Sequence, residues 1–126
     1  MKRLLPFLFI LLLFSCSKSE DTANISKLAG KFIPTEGIQV SGNAEIFIST
    51  NAQMVNLKDF SISDGPDLKV YLSKTNLPND FISLGDLTSA RTYAINQVVD
   101  FSQYRYVLIH CEEFNHLYAV AKLENQ

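Results

Sequence analysis

The sequence predicts an all-β fold, a single antiparallel β-sandwich or small barrel. Three observations predict it. Apolar and polar residues alternate with period two in short runs rich in β-branched and aromatic side chains. Turn signals punctuate those runs: "SGN" at 41–43, "SDGPD" at 63–67, "LPND" at 77–80 and "LGD" at 84–86. No long stretch carries the spacing of an amphipathic helix. Several short strands in one chain pack as two facing sheets or as one closed sheet.

The first residues stand apart from that fold. "MKRLLPFLFILLLFSC" opens with Lys2 and Arg3, runs apolar from Leu4 to Phe14, and ends in Ser15 and Cys16. This is the layout of a secretory signal peptide. The apolar run falls short of the ~20 residues that cross a bilayer. "LFSC" resembles the lipobox of bacterial lipoproteins, with Phe14 bulky for its position. The resemblance implies a signal peptide over residues 1–15, cleavage before Cys16 and acylation of its thiol. Each buried methylene contributes ~0.8 kcal/mol, so several acyl chains hold a protein on a membrane.

Residues 16–27 follow as a polar tether, "CSKSEDTANISK", too poor in apolar surface to fold alone. "KSED" resembles the acidic surface-export signals of Bacteroidetes lipoproteins. The expected location is a bacterial envelope, on the outer membrane, at its periplasmic face or the cell surface. Without Lys2 and Arg3, 9 of the 11 basic residues remain against 13 acidic ones, a net charge of −4. Nothing basic invites a nucleic acid. Residues 28–126 suffice for one domain, and Cys111 is its single cysteine.

The strands follow in order. "NAEIFIST" sets Ala44, Ile46 and Ile48 against Glu45 and Phe47. "AQMVNLKDFSI" sets Val55 and Leu57 against Asn56 and Lys58. "DLKVYLSK" sets Leu68, Val70 and Leu72 against Lys69, Tyr71 and Ser73. "YRYVLIHC" and "HLYAVAKL" form a C-terminal pair. Between them, "SDGPD" predicts a tight connection between two antiparallel strands, with Gly65 at positive φ, Pro66 fixing the backbone, and Asp64 and Asp67 bonding nearby NH groups.

Catalytic motifs are few. The chain has no Gly-rich phosphate loop, no HExxH, no CxxC and no GxSxG. "SGNAEI", "LKDFSISDGPDLKVYLS", "SLGDL" and "VLIHCEEFNHLYAVAKL" occur in the order and spacing of the DM-thirteen domain, which they resemble from about Leu28 to Leu123. The most specific parts are Asp59-Phe60, Gly65-Pro66-Asp67-Leu68 with Tyr71-Leu72, and Cys111 followed by Phe114 and Ala121. The family accompanies DOMON domains in animal cell-surface proteins and occurs in bacterial lipoproteins. The resemblance implies electron transfer or redox modification, with Cys111 as a bare thiol or as the ligand of a prosthetic group such as haem or a metal, and an unidentified redox partner protein. Two positions depart from the pattern: His110 replaces an aromatic residue, and Tyr118-Ala119 replaces Phe-Gly. The first departure puts a ligand-capable side chain beside the thiol.

Cys111, His110 and His116 are thus the candidate cofactor ligands. From the residues alone, Cys111 reads first as a small core hydrophobe; the resemblance is what sets a redox or ligand role beside that reading on equal terms. Glu112 and Glu113 would disfavour its thiolate if they lay close. The hairpin decides which side chains meet. Matching the apolar faces of the last two strands requires an odd loop. Cys111 then faces the core beside Leu117, and His110 meets His116 on the opposite face. An even loop would bring His116 to the cysteine's face. The apolar matching favours the odd loop.

Overall fold

The structure, a computed structural model, describes residues 28–126. The signal peptide, Cys16 and the tether lie outside the described residues. Nine strands follow one another: β1 (Leu28–Pro34), β2 (Val40–Ile48), β3 (Gln53–Ile62), β4 (Leu68–Ser73), β5 (Phe81–Asp86), β6 (Thr92–Ile95), β7 (Tyr106–Cys111), β8 (His116–Lys122) and β9 (Glu124–Asn125). They form one antiparallel sheet in the order β5-β4-β7-β8-β1-β2-β3-β6, with β9 paired to β1. The end strands β5 and β6 approach each other. The sheet therefore curls into a nearly closed barrel, the second of the two predicted architectures.

Antiparallel pairing throughout gathers the connections at two poles. Residues 49–52, 74–80 and 96–105 lie at the pole where β1 begins; residues 35–39, 63–67, 87–91 and 112–115 lie at the other. The core fills the interior with residues of the predicted faces, Ala44 and Ile46, Val55 and Leu57, Val70 and Leu72, together with Val107 and Ile109 of β7 and Ala119 and Ala121 of β8. Period-two alternation is what lets each strand turn one face inward.

One bulge explains why two distant motifs belong together. Ser41 pairs with Ser61 and Asn43 with Lys58, so Gly42 alone faces Asp59 and Phe60. Gly42 has φ +100 and Asp59 has φ +52. A Cβ on Gly42 would stand 2.6 Å from the Lys58 carbonyl oxygen and 2.7 Å from that of Asp59. The bulge turns Phe60 inward, edge-on to Phe32 at 5.1 Å. Such an aromatic pair contributes about 0.5–1.5 kcal/mol beyond its burial.

The "SDGPD" turn is a correction. β3 pairs with β2 and β6, whereas β4 pairs with β5 and β7. Residues 63–67 therefore cross between two halves of the barrel and close no hairpin. Gly65 is not among the glycines at positive φ. Its constraint is close approach: a Cβ there would lie 2.8 Å from both the Tyr118 hydroxyl and Leu68 Cδ2. The carboxylates do not cap backbone NH groups as expected. Asp67 pairs with Lys69 at 3.2 Å, and the Asp64 carbonyl accepts the Tyr118 hydroxyl at 3.1 Å.

Candidate functional site

The predicted site lies where β7 ends. Cys111 is fully buried and unpaired. It faces Leu68 on one side and His116 on the other. Backbone bonds hold this corner: Glu112 N donates to the Asp67 carbonyl at 3.0 Å, and Leu87 N to the Leu68 carbonyl at 2.8 Å. The crossover at 63–67 is thus tied to the last hairpin, and Tyr118 reaches over Gly65 to bond Asp64.

The hairpin differs from the expected register. Its loop, residues 112–115, is even, so Cys111 pairs with His116 and His110 with Leu117. Asn115 makes this loop by taking φ +49, a left-handed conformation that asparagine tolerates. The apolar faces still match farther along, because Ile109 pairs with Ala119. Tyr118 is the extra residue, and its bulge shifts the register by one. Leu117 therefore falls on the outer face, not beside the thiol. His116 falls on the cysteine's face, where its ring meets that of Tyr118 at 5.0 Å. The two histidines do not meet.

On the outer face of β4 and β7 stands a second buried layer. His110 stacks on Tyr71 at 5.6 Å, and Tyr71 stacks on Phe81 at 3.9 Å. The Tyr71 hydroxyl donates to Glu112 Oε2. Burial first, and then the Glu112 carboxylate, hold the Tyr71 phenol well above the usual tyrosine range. Glu112 is thereby drawn to the outer face, away from the thiol. His110 Nε2 meets Asn115 Oδ1 at 3.2 Å, and His110 Nδ1 is buried without a partner. This layer was not legible as a site, because alternation assigns Tyr71 and His110 to a solvent face. One signal pointed to it: an aromatic, a histidine and a carboxylate share that face.

The fit of a prosthetic group follows from this geometry. A haem or metal bound through Cys111 needs an open coordination face on sulfur, and this thiol has none. The groove of about 550 Å³ at the same pole is lined by Gly65, Leu68, Asp86 and Arg91, not by Cys111. Among the described residues, no three His, Cys, Asp or Glu side chains converge to hold an ion. The residues around Cys111 do not fit a haem or metal centre.

The described residues form a small antiparallel barrel that encloses one unpaired thiol and carries an aromatic and carboxylate layer on its outside. The chain belongs to the electron transfer DM13 family, whose model matches residues 31–123. That span contains Gly42, Asp59-Phe60, the crossover and Cys111. No curated protein and no solved structure matches the chain.

Proposed function

We propose that the protein is a lipid-anchored domain of a bacterial cell envelope that serves electron transfer as an accessory. Cys111 is its redox residue and a separate protein its redox partner. One observation supports this above the others: in an electron transfer family, the domain's single thiol is enclosed, unpaired and in register with His116. An enclosed sulfur cannot reach an outside disulfide, so it exchanges electrons and not bonds. The thiol yields one electron to an oxidised one-electron acceptor and releases one proton to water; reduction reverses both.

The test pairs stability with redox behaviour. The wild type should show a one-electron titration, and Cys111→Ser should keep the fold and abolish it. A stable variant with an unchanged titration would end the redox role. The competing reading is a non-catalytic binding or scaffold module, favoured by the packing of Cys111 among core residues; it predicts a redox-silent wild type. The anchor is tested separately: Cys16→Ala should yield an unprocessed or soluble chain. Normal membrane fractionation with unchanged mass would remove the lipoprotein reading.

A further inference from the structure

The described chain begins at Leu28, which faces Ile46 and Asn125 at one pole of the barrel. The loops of that pole carry exposed apolar side chains: Ile48 ends β2 at 41% exposed, Leu77 is 52% exposed and Val98 94%. Residues 49–52 and 96–99, "STNA" and "NQVV", hold no charge. The charges that do occur there are tied within the chain. Lys74 lies 3.9 Å from Asp80, Asp100 accepts from Ser102 N and Oγ, and Arg105 donates to the Phe101 carbonyl. The opposite pole differs: its loops hold Glu36, Asp64, Asp67, Glu112 and Glu113 against Arg91.

We propose that the first pole seats on a lipid bilayer, with Ile48, Leu77 and Val98 at the headgroup–acyl boundary, and that this aims the Cys111 pole away from the membrane. The proposal rests on the lipid-anchor reading of Cys16. Residues 17–27 span at most about 40 Å even when fully extended. The strand β2 alone separates the poles by about 30 Å. An anchor at Cys16 joins the chain at the charge-balanced pole, which therefore meets the bilayer without stretching the tether. The acidic pole reaches it only if the barrel inverts on a stretched tether. Three apolar tips bind weakly by themselves. Anchoring makes the contact intramolecular, so weak contacts suffice. Anionic headgroups repel the acidic pole and tolerate the neutral one.

The experiment uses the full acylated chain, purified from bacterial membranes and reconstituted in vesicles of phosphatidylethanolamine and phosphatidylglycerol. An environment-sensitive nitrobenzoxadiazole dye is attached in Val98→Cys and, separately, in Phe114→Cys at the opposite pole. Cys111 is enclosed and stays unlabelled. The expected result is a blue shift at position 98 and severalfold stronger quenching by spin-labelled lipid there than at 114. Adding Ile48→Asp and Leu77→Asp to the position-98 chain should remove both signals. Water-like emission at both positions on vesicles that carry the acylated chain would overturn the seating and leave the anchor standing. Absence of acyl mass on Cys16 would overturn both. A blue shift that arises without vesicles and grows with protein concentration would assign the pole to a second copy and overturn the lipid proposal.

Discussion

Tyr71 carries the clearest single-residue consequence. Its hydroxyl is enclosed and donates to Glu112, which favours the neutral phenol in the folded state. An unfolded tyrosine ionises near pH ~10. Above that pH the unfolded chain sheds a proton that the folded chain retains, so stability falls as pH rises. Below it this contribution is fully present. Melting temperature followed from pH 8 upward should drop beyond about pH 10 in the wild type, and less steeply in Tyr71→Phe. An absorbance titration should show one of the five tyrosines ionising late, and that component should vanish in the variant. Equal slopes in both proteins would mean that Tyr71 is not the late group. The same hydrogen bond explains why Glu112, adjacent to Cys111 in sequence, does not face it.

At the scale of elements, two glycines set geometry for different reasons. Gly42 supplies positive φ opposite the Asp59-Phe60 bulge and has backbone on three sides. Gly42→Ala should cost about 1–3 kcal/mol in urea unfolding, the range for a strained left-handed residue. An unchanged midpoint would show that the bulge relaxes freely. Gly65 is constrained from outside, by Tyr118 and Leu68. Gly65→Ala should also cost about 1–3 kcal/mol, through overpacking. Tyr118→Phe removes the colliding oxygen at a cost of about 1 kcal/mol for its bond to Asp64. The double variant should be less destabilised than the two single costs combined. Strict additivity would show that the oxygen is not what confines Gly65.

At the scale of the whole molecule, stability is uneven because among the described residues no hydrogen-bonded pairing joins β5 to β6. β5 and β6 each pair on one side only, whereas β1, β8 and β7 sit between neighbours. β6 has only four residues, and β5 carries a register shift where Val70 pairs with Gly85 and Tyr71 with Ser83. Short and irregular edges resist pairing with other chains. Hydrogen exchange should therefore release β6 and the outer amides of β5 first and the amides of β1, β7 and β8 last. Uniform protection across all strands would indicate that the seam is closed in solution.

The all-β class, the inward faces and the single domain thiol were legible in the sequence, because period-two alternation is a local property of each strand. The family motifs were legible too. Their reasons were not: Gly42 and Asp59 are remote in sequence and form one bulge only when β2 and β3 align. The hairpin register was misread for a related cause. Apolar matching is satisfied by an odd loop or by an even loop plus a bulge, and the left-handed Asn115 with the extra Tyr118 selects the second. That choice puts His116 on the thiol's side, while the pairing of β4 with β7 puts His110 against Tyr71. Tyr71, read on the polar face of its strand, is buried because the Phe81 ring of β5 stacks on it at 3.9 Å and the His110 ring of β7 at 5.6 Å. The sequence by itself determined which residues alternate and where the chain turns. Which strands neighbour each other, and hence which side chains meet Cys111, was decided by tertiary pairing, since a one-residue shift of register exchanges the two faces of a strand.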